Sequence, residues 1–326
     1  MRAGFHSLAV LLLAASVGAQ TAPPPPPDPK AVAATVDKAL QLASVEKAAG
    51  RLAQTELHLR SVAERFQSVR ALLELAQVQS QQKNGAGSLA SLRQARALAP
   101  NSEDVLAPYA EALLASPKPD AAIPVLGALT RISPMVARYQ YLAGLAVLQA
   151  GDAPAAVSFL QEALRLEADQ APTLIALGRA LNRRQLYSEA KPHLLRGLSL
   201  MPSSVEAVAA LAEAEEGLGE LKEAEEHARR ALAQAPDDPA ANTAIAMVLM
   251  KQEKFAEARD ALLKAAATDP SSSKAHDQLS LAYAHLDDPV SAQKHRALSE
   301  QRLEAERERV KSVHRMVGSS LAGTEP

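Results

Sequence analysis

The sequence contains no cysteine and no tryptophan, and aromatic residues make up only 3% of it. Without cysteine there are no disulfides, thiolate zinc sites, catalytic thiols or cysteine-linked lipid anchors. With so few rings, the core must be built from Ala, Leu and Val. Such a core suits closely packed helices, because Ala lets backbones approach and both Ala and Leu favour helix. An excess of one charge is also lacking, since the formal net charge is -2. That balance argues against general binding to nucleic acid or to an anionic membrane.

Catalytic signatures are missing too. There is no metalloprotease helix motif, phosphate loop or nucleophile elbow. Gly85-Ala86-Gly87-Ser88-Leu89-Ala90 loosely imitates a dinucleotide-binding turn, but it follows a helix rather than a strand and reads as a flexible corner. His193 and His227 recur at the same place one period apart. With no third ligand beside them, they read as surface histidines. The expectation is a chain that is not an enzyme and that needs no cofactor or metal.

Long apolar runs are scarce as well, and the one that exists sits at the start. Arg2 precedes an uncharged stretch from Leu8 to Val17, and Val17-Gly18-Ala19 offers small residues at a cleavage spacing. This pattern predicts a signal peptide over 1–19, and so a periplasmic or secreted chain. The run is shorter than the roughly 17 residues a spanning helix needs, so no transmembrane segment is expected in the mature chain. Pro23 to Pro27 and Pro29 then predict an extended proline-rich linker over 20–30.

Beyond the linker the sequence is punctuated at a fixed interval. Pro100, Pro134, Pro202, Pro236 and Pro270 lie 34 or twice 34 residues apart. Units beginning at Val69, Glu103, Ala137, Ala171, Val205, Pro239 and Ser273 share further features. Their eighth residues are Ala76, Ala110, Gly144, Gly178, Ala212, Ala246 and Ser280, all small. Their twentieth residues are again small, from Ser88 to Ala292, and Leu92, Leu126, Leu160, Leu194 and Leu262 fall at the twenty-fourth. Small residues at two fixed places let helix A touch helix B, and the leucine is expected to fill the gap between neighbouring units. Gly151-Asp152, Gly219-Glu220 and Asp287-Asp288 mark turns between the two helices.

In these residues the chain resembles the tetratricopeptide-repeat family, whose helix-turn-helix units are 34 residues long. Gly219-Glu220-Leu221-Lys222-Glu223-Ala224 and Lys254-Phe255-Ala256-Glu257-Ala258 are typical of it. The resemblance implies an all-α, right-handed α-solenoid of stacked TPR repeats. A degenerate first repeat spans 31–68, broken near Gly50, and seven units span 69–306. The second unit is crowded by Pro117, Pro119 and Pro124, so the stretch from Gly85 to Pro124 should be the least regular. In the last unit Glu304 replaces the closing proline, so a long C-terminal capping helix is expected over 289–317, with a disordered tail at 318–326.

The family resemblance also implies that helix A of each unit lines a concave groove that receives peptides or helices of other proteins. Its groove positions fall on Arg138, Tyr141, Leu145 and Leu148 in the third unit, and on Ile175, Arg179, Asn182 and Arg183 in the fourth. They fall on Glu213 and Glu216 in the fifth and on Met247 and Met250 in the sixth. The expected partner carries an apolar anchor for Tyr141, Leu145, Leu148 and Ile175, and an acidic flank for Arg138, Arg179 and Arg183. The family's carboxylate-clamp pairs are not matched, since Leu73 with Gln77 and Ile175 with Arg179 stand at those places. The alternative is a structural protein that forms a weak homo-oligomer through a C-terminal seam of Leu303, Val310 and Val317.

Overall fold

A computed structural model describes residues 29–322, so the leader read at 1–19 and most of the linker lie outside the described residues. Every regular element among the described residues is helical. The opening pair is α1 (Pro29–Ala48) and α2 (Leu52–Phe66). Seven A/B pairs follow: α3 (Val69–Gln81) with α4 (Gly85–Leu98), α5 (Glu103–Leu114) with α6 (Ile123–Ile132), α7 (Ala137–Gln149) with α8 (Ala153–Leu166), and α9 (Ala171–Arg183) with α10 (Tyr187–Leu200). The last three are α11 (Val205–Leu218) with α12 (Leu221–Gln234), α13 (Pro239–Lys251) with α14 (Phe255–Thr268), and α15 (Ser273–His285) with α16 (Pro289–Ala322). The seven A helices begin at the seven residues read as unit starts. Pro29 and Lys30, assigned to the linker, open α1 instead, and α16 continues five residues past 317.

Local chemistry explains these boundaries. Side chains of Ser68, Asn84, Asp152, Ser204, Asp238 and Ser272 accept from the backbone N–H three residues on, capping α3, α4, α8, α11, α13 and α15. Six of the seven A-to-B turns pass through one residue with positive φ: Lys83, Gly151, Gln185, Gly219, Glu253 and Asp287, the fifteenth of its unit. In the second unit that place holds Pro117. Proline is locked near φ -65° and cannot take the left-handed conformation. The chain there forms a 3-10 turn, Pro119–Ala122, and α6 starts late at Ile123.

The irregularity predicted from Gly85 onward is confined to this second unit. Gly85-Ala86-Gly87 is not a loose corner but the first turn of α4, held by Asn84 Oδ1 accepting from Gly87 N–H at 2.9 Å. The twenty-fourth residue also packs inside its own unit. A Cβ on Gly144 would lie 2.7 Å from Leu160 Cγ, so that leucine covers the glycine of its own unit. Leu194 covers Gly178 in the same way, and both leucines are fully buried. The first pair shares a polar contact with the fifth unit. His58 Nδ1 meets Glu46 Oε2 at 3.0 Å, as His227 Nδ1 meets Glu215 Oε2 at 2.7 Å. His227 is therefore tied to a buried carboxylate and is not a free surface histidine. His193 is half-buried, which pushes its pKa down.

Candidate protein-binding groove

Helices A touch one another along the solenoid, α7 with α9, α9 with α11, α11 with α13 and α13 with α15. Helices B mainly touch the A helices on either side, so the A helices form the inner row. The structure sorts the twelve groove residues read from the sequence. Tyr141, Leu145, Met247 and Met250 are half-buried, with apolar surface left over. Leu148 and Ile175 are not part of the floor, being 2% and 3% exposed. Ile175 turns to helix B of its own unit, where a Cβ on Gly197 would lie 2.8 Å from its Cγ1.

The basic patch is internally matched. An Nη of Arg138 donates to Glu111 at 2.7 Å, and Arg179 donates to Glu206. Arg183 donates to the Leu148 carbonyl at 3.3 Å, closing the end of α7, and lies 3.8 Å from Glu306 on α16. Asn182 is 2% exposed; its Nδ2 donates to the Ala210 carbonyl at 2.7 Å, and its buried Oδ1 has no hydrogen-bond partner.

Two residues of this surface escaped the sequence reading. Lys274, the second residue of the seventh unit, donates to Glu213 of the fifth at 2.5 Å, reaching across 61 residues. The Tyr187 ring packs over Gly217, close to Lys274, Glu213 and Glu216. Lys274 repeats a groove position, which was the available signal; Tyr187 lies on helix B, where no groove signal exists. Burial pushes the pKa of Lys274 down, but the charges of Glu213, Tyr187 and Glu216 outweigh it, and the net direction is up. Burial raises Tyr187, Tyr141 and Glu216. A lysine held charged and phenols held neutral at neutral pH supply neither a nucleophilic amine nor a phenolate. The cluster suits electrostatic recognition. Among the described residues no group of three or more His, Asp or Glu could hold a metal ion.

The seam proposed for self-association is not a free stripe. Leu303 is 39% exposed, but Val310 is half-buried over the Gly151 turn of its own chain. Val317 has no described side chain.

Paired antiparallel helices at a fixed period, with an inner row of A helices, define a helical repeat solenoid. Tetratricopeptide repeat models match residues 110–172, 185–248 and 216–282. The chain is a tetratricopeptide-repeat protein. Its fold is similar to that of a tetratricopeptide repeat protein from Parabacteroides merdae, with a TM-score of 0.55 at 15% identity, covering 76% of this chain and 98% of that one. It is also similar to the APC/C hetero-tetramer Cut9–Hcn1, with a TM-score of 0.54 at 18% identity over 74% of this chain. There the chain spans 48% of the matched chain's length. At such identities the likeness concerns the fold alone. No curated protein matches the chain.

Proposed function

We propose that this protein is a non-enzymatic scaffold of the periplasm or cell exterior that holds a segment of another protein along its inner row of A helices. The observation that carries this reading is the set of half-exposed apolar side chains on that row, Tyr141, Leu145, Met247 and Met250, set among charged neighbours. An exposed aromatic supplies an anchor, and methionines adapt to varied shapes. The acidic flank of the partner exchanges with the chain's own carboxylates at Arg179 and Arg183. Such exchange is cheap, because surface ion pairs contribute only about 0–1 kcal/mol. Export is supported by Arg2, the apolar run Leu8 to Val17 and the small residues before Gln20. No described helix is long and apolar enough to cross a membrane.

The test is affinity capture from native envelope extract with the wild-type chain and with a Tyr141→Ala/Leu145→Ala variant. A protein retained by the first and lost by the second, at equal helicity, supports the groove. Equal recovery by both excludes it. N-terminal sequencing of the exported chain checks the cut, which is expected after Ala19.

A further inference from the structure

Helix α16 is 34 residues long and outruns its partner α15. Near the start of α15 its Glu306 lies 3.4 Å from Ser273 Oγ. Beyond that point it meets a remote part of the chain. Arg309 makes two bonds to Asp120, at 2.7 and 2.6 Å, across 189 residues. His314 Nε2 lies 2.6 Å from Asp152 Oδ2, and Glu306 faces Arg183. Val313 is 1% exposed and joins the core shared by the first to fifth units, on a helix that packs against α6.

The seat for this helix coincides with departures from the repeat plan. Asp120 lies in the 3-10 turn that only the second unit has. The helix also passes over the Gly151 turn. A Cβ there would come 3.1 Å from Val310 Cγ2 and 3.2 Å from Glu306 Cγ, whereas one on Gly219, its counterpart in the fifth unit, would meet nothing. The helix itself is divided. Arg302, Glu306, Val310 and Val313 lie on its covered side, while Glu304, Ala305, Arg307, Glu308 and Lys311 are exposed. Past residue 303 only Val313 is fully buried among the described side chains.

We propose that the A-to-B edge of the second to fourth units is a docking site for a valine-bearing, basic helix. Residues 304–316 are its resident and displaceable occupant, so the solenoid closes on its own C-terminal helix. Two carboxylates, Asp120 and Asp152, select the basic residues, and the Gly151 turn admits Val310. Contacts made mostly by exposed ion pairs around one buried side chain belong to the part of a fold that opens first. The site is separate from the inner-row apolar residues but shares Arg183 with the groove's basic patch through Glu306, and its test uses no groove partner.

Hydrogen exchange and peptide binding on the full chain test this. A fluorescein-labelled peptide of residues 300–318 is added to wild type and to an opened variant, Arg309→Glu/Val313→Asp. A site filled nine times in ten by its own helix weakens apparent affinity about tenfold, so the opened variant is expected to bind the peptide at least that much better. It should also lose amide protection over 304–316 only. Adding Asp120→Arg to it should abolish binding, and the swap Asp120→Arg/Arg309→Asp in the wild-type background should restore protection. Equal peptide binding by wild type and opened variant overturns the proposal. So does loss of protection spreading through α7 to α13, which would make the helix a fixed part of the core. Protection that depends on concentration, with a dimer in sedimentation, assigns the site to a second copy and overturns closure within one chain.

Discussion

The second and seventh units break the common plan in opposite directions, one with an extra proline at its turn and the other with no proline at its end. In five units helix B has 14 residues. In the second, Pro117 occupies the left-handed turn position, and α6 keeps only 10 residues. In the seventh, Glu304 stands where Pro100, Pro134, Pro202, Pro236 and Pro270 stand in their units, and α16 runs on to 34 residues. The shortest and the longest B helices then pack against each other. A solenoid unit normally contacts only its neighbours. Here the long last helix and the irregular turn of the second unit bring the seventh unit against the second to fourth.

The largest effect is expected from restoring the missing stop. Glu304→Pro should end α16 near residue 303, since an interior proline costs about 3 kcal/mol or more. Far-UV circular dichroism should show lost helix, with exchange protection lost beyond 304. Unchanged helicity would contradict the role given to punctuation. Next, Gly178→Ala in a regular unit forces a methyl into Leu194 and should cost about 1–3 kcal/mol in thermal unfolding. Gly85→Ala, with nothing near its Cβ, should not destabilise, and a matching loss there would mean that close packing is not the cause.

A paired comparison isolates the seventh unit's reach. Asp152→Ala and Asp238→Ala each remove an N-cap, at about 1 kcal/mol. Asp152 also faces His314, so its loss should lower the midpoint of unfolding further than that of Asp238. Equal losses would mean that α16 contributes nothing at that contact.

A smaller effect is expected from pH. His276 and His295 meet at 3.1 Å between α15 and α16, and burial pushes both below their ordinary 6.5. The unfolded chain then binds the extra protons, so stability falls as pH drops through 6.5 and levels off below the folded values. Glu216 acts in reverse. Burial raises it above 4.5, so its penalty is present at neutral pH and fades as pH falls through its folded value. His276→Gln should flatten the fall below 6.5, and an unchanged slope would remove this pair as its source. The smallest change is Pro117→Asn, which permits a positive φ and should extend α6 toward its N-terminus, as read by amide exchange at 119–122.

Much of the regular part was legible from residue types. Pro100, Pro134, Pro202, Pro236 and Pro270, with Gly144 and Gly178, locate turns and close contacts because their constraints are local. Asn84 was legible in type but missed in role, since its glycines drew attention away from its capping oxygen. In the groove, the family resemblance placed Tyr141, Leu145 and Met247 on the inner row. It could not tell that Ile175 turns toward Gly197, because a few tens of degrees of helix rotation separate floor from core.

By itself the sequence determined the class of fold, the start of every A helix and the continuation of the last helix, since each depends on backbone constraints within one unit. Only the tertiary structure decided where that helix goes, which charges neutralise Arg138, Arg179 and Arg183, and that Lys274 reaches Glu213. Those outcomes depend on the curvature summed over several units, and small rotations between neighbours set that sum without leaving a local mark in the residues.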